Sequence, residues 1–324
     1  MNRFALVFGI GLMGVAVTQA ADPAPKSAFR ATTPTQAADW QAESRTLLFR
    51  LMKVDDLQAT RRPNGKAIPF DVKELRSETR DKYTWKEIEL ASTNSRRIKA
   101  VVTIPKESGK HPAVVCIHGH GGNRNIVHDR KSLYRGFAAE LAERGFVTIA
   151  TDVGQHELAD KNRTLAGERL WDLLRCADYA ASLPETDAQR MGCSGLSLGG
   201  EMAMWLGAMD PRMKATVSSG FLTTVANMRD QHCPCWDFPG LTDHFDFADM
   251  FTLIAPRALL CQNGQRETAG GGFPVDIAQR VMTEIQHNYA VVDKQANAAL
   301  DVHPEGHVFV VPTAVAFLEK ELKK

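Results

Sequence analysis

The spacing of apolar residues changes character near residue 112. Upstream, "WQAESRTLLFRLMK" carries apolar side chains at helical intervals. "YTWKEIEL" and "RRIKAVVTIP" then alternate or run β-rich on either side of "ASTNS", which predicts an N-terminal antiparallel hairpin. Downstream, short apolar runs trade places with amphipathic ones. "PAVVCIHGHGG", "FVTIATD", "RMGCSG", "KATVSSG", "RALLCQNG" and "NAALDVH" read as buried strands. "LYRGFAAELAERG", "RLWDLLRCADYAASL", "GGEMAMWLGAMD", "VDIAQRVMTEIQHNY" and "TAVAFLEKELKK" read as the helices joining and closing them. Strands this apolar must be covered on both faces, so the pattern predicts an α/β protein with a mostly parallel, doubly wound sheet. Parallel connections bring the carboxyl ends of the strands to one edge, where ligands bind. One stretch breaks the rhythm. Residues 221–247 are long for a loop, and they are expected to form a cap-like insertion over that edge. Its Trp236, Phe238 and Phe245 either line a pocket or form a small satellite core.

Composition narrows the setting. The chain has 324 residues and a formal net charge of +1, which gives no reason to expect a nucleic acid or an anionic membrane surface as partner. The first residues behave differently. Arg3, an apolar run from Phe4 to Val17 and small residues at Ala20 and Ala21 make a secretory signal peptide over residues 1–20. That run is too short to span a bilayer, so no stable membrane insertion is expected after cleavage. A periplasmic or secreted product follows. Residues 21–39, rich in Ala, Pro, Thr and Lys, read as a flexible tether, and 40–324 as a single domain. Export makes the six cysteines relevant. Cys116, Cys176, Cys193 and Cys261 sit in apolar runs and read as core. Cys233 and Cys235, beside His232, are one residue apart; a bridge between them would be strained, and the spacing is not the usual C-x₂-C of a metal site.

The chemistry concentrates in "GCSGLSLGGE". Gly195-Leu196-Ser197-Leu198-Gly199 fits G-x-S-x-G, with a strand before it and a helix after it. That context turns a weak pattern into a nucleophile elbow, a strained turn that lifts one hydroxyl off the sheet. Ser194 is the rival, and strand alternation turns it inward. A serine needs a base oriented by a carboxylate, in the chain order serine, acid, histidine. His307 in "HPEGHVF" follows the last strand on the same edge; His303 is second choice. After "RALLCQNG", Glu267 is the only carboxylate before Asp276, with Asp230, Asp237, Asp243 and Asp246 of the insertion as alternatives. Attack on an ester builds an oxyanion that needs preset N–H donors. Leu198 supplies one backbone N–H, and His120 in "HGHGG" the other. His118, His120 and His128 have no carboxylate or cysteine cluster nearby in sequence, so no metal ligands are assigned. The reaction requires no metal and no organic cofactor.

With these motifs in place, the chain resembles α/β-hydrolase fold serine esterases, and more narrowly secreted bacterial hydrolases related to dienelactone hydrolases and acetyl xylan esterases. "AMDPRMKATVSSGF", "HCPCWDFPGL" and "DFADMFTLIAPRALLCQNG" carry the likeness beyond the elbow and the "EGHVF" segment. The resemblance runs from about Tyr83 to the C-terminus. It implies the α/β-hydrolase fold and carboxylic-ester hydrolysis through Ser197, His307 and Glu267, on a small-molecule or carbohydrate-linked ester such as an acyl ester of a plant polysaccharide. Such relatives usually carry aspartate where this chain has Glu267, and dienelactone hydrolases proper use cysteine where it has Ser197. Two other readings stay open: a peptidase on the same scaffold, or a noncatalytic binding protein.

Overall fold

The computed structural model describes residues 24–61 and 64–324. The expected signal peptide lies outside the described residues. Strands β1 (Lys73–Thr79), β2 (Tyr83–Ala91), β3 (Arg97–Pro105), β4 (His111–Ile117), β5 (Val147–Thr151), β6 (Thr186–Leu196), β7 (Met213–Ser219), β8 (Ala258–Gly264) and β9 (Ala298–His303) form one sheet. Its order is β1-β2-β3-β5-β4-β6-β7-β8-β9. From β5 to β9 every neighbouring pair is parallel, whereas β1, β2 and β3 are antiparallel and β3 meets β5 antiparallel. The mostly parallel, doubly wound sheet is therefore present, and its antiparallel end has three strands instead of a hairpin. β1 escaped the sequence reading because "KELRSET" is an exposed edge strand, with no buried face to impose alternation.

Helices α1 (Pro34–Leu51), α2 (Asp55–Thr60), α3 (Phe137–Glu143), α4 (Leu165–Ser182) and α5 (Leu198–Met209) come before the insertion. Short helices α6 (Val225–Met228), α7 (Leu241–His244) and α8 (Phe247–Thr252) shape it; α9 (Val275–Ala290) and α10 (Val311–Leu322) complete the covering layers. Local sequence sets several of these boundaries. Thr164 caps α4 by accepting from the Gly167 amide at 3.0 Å, an arrangement worth about 1 kcal/mol. α3 starts later than its apolar pattern suggests, because Arg135 and Gly136 sit at positive φ. β4 and β8 are buried along their whole length, as strands covered on both faces must be. Among the described residues, no helix is long and apolar enough to cross a membrane.

Two expectations need correction. From residue 24 onward the supposed tether is built into the molecule. The Lys26 and Ser27 amides donate to the carbonyls of Asp243 and His244, both at 2.9 Å, and the Phe29 amide donates to the Asp249 carboxylate at 2.7 Å. α1 then begins at Pro34, behind Thr33 as cap. Composition reports a segment's own preference and not the acceptors waiting elsewhere in the chain. The second correction concerns the aromatics of the insertion. Trp236, Phe238 and Phe245 are buried in the main core, with Trp236 against Phe247 (centroids 5.7 Å) and Phe238 near Trp205 (6.0 Å). They are neither pocket lining nor a satellite. The insertion is anchored by these aromatics, and its Phe221, Met228, Gln231, His232, Cys233 and Cys235 line the cavity.

Candidate active site

Ser197 stands between β6 and α5 with φ 64° and ψ −127°, a conformation that L-residues avoid. The turn is held from both sides. The Ser197 amide donates to the Ser219 carbonyl at 2.9 Å. A Cβ on Gly195 would come within 2.2 Å of the Gly199 carbonyl, and one on Gly199 within 2.3 Å of the Ile117 carbonyl. Both motif glycines are therefore steric requirements of the bend. Ser194 lies wholly buried with its hydroxyl unpartnered, which removes it from contact with any ligand.

His307 follows β9, and Glu267 lies in the loop after β8. His307 Nδ1 donates to Glu267 Oε2 at 3.0 Å, and the same oxygen accepts the Phe273 amide at 3.2 Å. The carboxylate is nearly sealed, at 4% exposure, while the imidazole is 33% exposed. With Nδ1 committed to the carboxylate, Nε2 is the nitrogen left to exchange a proton. Phe273 stacks on the ring at 5.7 Å and fixes its plane. His303 also ends β9 but is buried, with its Nδ1 unpartnered. Of the alternative acids, Asp246 is spent on capping α8 and holding the Val225 amide.

Ser197, Leu198, His120, Glu267 and His307 line one cavity of about 520 Å³. Leu198 opens α5, so its N–H belongs to the first turn, where helical acceptors are missing. The loop carrying His120 is latched in a way the sequence did not reveal. The Gly119 amide donates to the Tyr134 hydroxyl at 2.6 Å. His118 Nδ1 donates to the Gly119 carbonyl at 2.8 Å, and its Nε2 accepts the Val153 amide at 3.0 Å. Burial holds the His118 ring below the usual imidazole range, which suits a neutral structural bridge. The His120 ring is pushed down to about 4, by burial first and then by the Arg169 charge.

Glu201, one helical turn beyond Ser197, also faces the cavity with Oε1 unpartnered; burial pushes its carboxyl up to about 7. His156, Cys233 and Cys235 gather around His120, and no local motif had joined them. His232 is not among them, because its Nε2 lies 3.2 Å from the Gly272 carbonyl. The only advance signal for this gathering was the pairing of Cys233 with Cys235. Nothing in the sequence pointed to His156 or Tyr134.

The fold and the cavity define the class: an α/β-hydrolase with its polar groups at the carboxyl edge of the parallel strands. Comparison with known proteins sharpens it. The acetyl xylan esterase family model matches residues 68–230, half of the chain, which contains the elbow and the His120 loop and ends before Glu267 and His307. The chain belongs to the acetyl xylan esterase family and is a carboxylic-ester hydrolase. YtaP of Bacillus subtilis, assigned as a hydrolase, is 28% identical over 282 residues, covering 78% of this chain and 90% of its own. A Bacteroides fragilis structure assigned as an acetyl xylan esterase superposes with TM-score 0.69 at 19% identity, covering 86% of this chain and 78% of the other. A glucuronoyl esterase from Solibacter usitatus gives 0.67 at 15% identity, with 92% and 95% covered. At these identities the two structures speak for the fold.

Proposed function

We propose that this chain is an exported serine esterase that removes acyl groups from plant-polysaccharide esters, with Ser197 as nucleophile, His307 as general base and Glu267 as the orienting acid. The observation that carries the reading is the His307 Nδ1–Glu267 hydrogen bond of 3.0 Å, set in the cavity that Ser197 faces. Ser197 Oγ attacks the ester carbonyl carbon as Nε2 of His307 takes its proton. The carbonyl oxygen becomes an oxyanion, met by the backbone N–H groups of Leu198 and His120. Collapse breaks the bond to the alcohol, which leaves with the proton from His307. Water, activated by the same imidazole, then attacks the acyl-enzyme and frees the acid. Glu267 stabilises the imidazolium in both stages. A cavity of about 520 Å³ has room for an acyl group and the sugar that bears it. The substrate class rests on family membership, and export rests on Arg3 and the apolar run from Phe4 to Val17.

The test is Ser197→Ala assayed on p-nitrophenyl acetate and acetylated xylan. A fall in kcat of roughly a millionfold, with the fold intact by circular dichroism, is expected. Turnover within tenfold of the parent overturns the assignment. Feruloyl esters and lactones run beside these substrates define the acyl and alcohol preference.

A further inference from the structure

Four metal-ligating side chains meet beside the cavity, on three loops of the same sheet edge. His120 follows β4, His156 follows β5, and Cys233 and Cys235 flank Pro234 in the insertion after β7. We propose that His120, His156, Cys233 and Cys235 form a tetrahedral site for a zinc-class ion. This inference goes beyond the esterase reading and does not depend on it.

The geometry fits. His120 Nε2 lies 3.1 Å from Cys235 Sγ, and His156 Nε2 lies 3.3 Å from Cys233 Sγ. The four donor atoms all lie within 4.8 Å of one another. Tetrahedral zinc with its usual bond lengths to sulfur and nitrogen spaces its donors about 3.3–3.8 Å apart. A contraction of about 1 Å at the widest pair therefore closes the shell. The arrangement is not a by-product of a local turn, since the paired residues are 115 and 77 positions apart in the chain. Each imidazole aims its Nε2 at a different thiol, and the two rings stack with centroids 5.3 Å apart.

Donor chemistry selects the ion. Two thiols and two imidazoles are a soft to borderline set, typical of structural zinc and unlike the oxygen shells of magnesium or calcium. A thiol is a weak hydrogen-bond partner, so two exposed thiol–imidazole pairs alone give little reason for three loops to converge. Arg169 stands 3.5 Å from Cys235 Sγ, where its charge offsets that of the thiolates formed on binding. Cys233 and Cys235 are both free thiols. The one-residue spacing that spoke against a metal in the sequence brings both sulfurs to one turn, and the imidazoles arrive from elsewhere. With four protein ligands the site is of the closed, structural kind. It staples the insertion to the loop whose His120 lines the cavity.

The full chain, purified without chelator and equilibrated with zinc, should hold one zinc per chain by elemental analysis. Cobalt(II) in its place should show the intense d–d bands of a tetrahedral ion and a thiolate-to-cobalt charge-transfer band. His156→Ala, on an exposed loop, and Cys233→Ser should each weaken zinc binding by roughly a hundredfold or more, while Ser197→Ala keeps full occupancy. Occupancy well below one in excess zinc, a cobalt spectrum without the thiolate band, or a Cys233–Cys235 disulfide that persists and excludes zinc overturns the proposal. Loss of metal in both ligand variants, with wild-type occupancy in Ser197→Ala, separates this site from the esterase assignment.

Discussion

Two ends of one sheet edge use the same side chain in different ways. At the β8–β9 end, His307 lines the cavity and gives Nδ1 to a sealed carboxylate. At the β4–β5 end, His118 spends both nitrogens on backbone groups and His120 turns Nε2 toward a thiol. His128, eight residues further on, has neither ring nitrogen partnered. All are imidazoles with the same intrinsic chemistry. What separates them is what the ring nitrogens meet: a carboxylate at His307, backbone groups at His118 and a thiol at His120.

The contrast is broken most severely at His307. In the proposed mechanism His307 is the base, so replacing it with alanine should cost kcat about a millionfold. The same substitution at His118 would act on folding, so circular dichroism and stopped-flow turnover together distinguish the two roles. Glu267→Gln is the next largest. The amide keeps the shape, and because the Phe273 amide donates to the same atom as Nδ1 its oxygen still meets both, so what is lost is the charge that stabilises the imidazolium. A loss of up to about 10⁴ in kcat is expected, with KM for p-nitrophenyl acetate nearly unchanged. A loss below tenfold would show that this glutamate does not orient the base.

The legibility of these residues follows the range of the forces that place them. Ser197 could be read because its turn is local: the glycines, the preceding apolar run and the following helix lie within about a dozen residues. His307 and Glu267 could be found because the parallel topology sends the loops after β8 and β9 to one edge. Tyr134 and His156 could not. Tyr134 sits in an ordinary amphipathic stretch, and it meets Gly119 only through a contact 15 positions away in the chain. The docked segment from residue 24 to Thr33 was misread for the same reason, since its acceptors lie in the insertion. On sequence alone the aromatic residues of the insertion either line a pocket or form a satellite core; an insertion needs anchorage in the main core, and Trp236 and Phe238 supply it.

His128 gives a smaller test, on stability. Burial pushes its ring down to about 4, while an unfolded histidine titrates near 6.5. Between those values the unfolded chain binds the extra proton, so stability present above pH 6.5 is lost as pH falls toward 4. The difference amounts to about 3 kcal/mol across that window. His128→Leu should flatten the slope, so chemical denaturation at pH 7.5 and pH 5 should show a smaller gap for the variant than for the parent. Equal gaps would mean that His128 reaches solvent or a partner when charged.

The mildest effect is expected at Tyr134, on the latch itself. Its hydroxyl accepts the Gly119 amide at 2.6 Å, directly before the residue whose N–H is proposed to meet the oxyanion. Tyr134→Phe removes the acceptor and leaves that amide unpaired in a buried place, a loss of about 1–2 kcal/mol. Part of it should appear in the transition state, because the His120 N–H loses its fixed direction just where charge develops. A fall in kcat of about tenfold is therefore expected, with KM unchanged, since the ground-state ester makes little use of that donor. If KM rose while kcat held, Tyr134 would be shaping the cavity wall instead. If neither moved, His118 alone would suffice to hold the loop, and the proposed oxyanion donor would owe its direction to backbone bonds without help from the phenol.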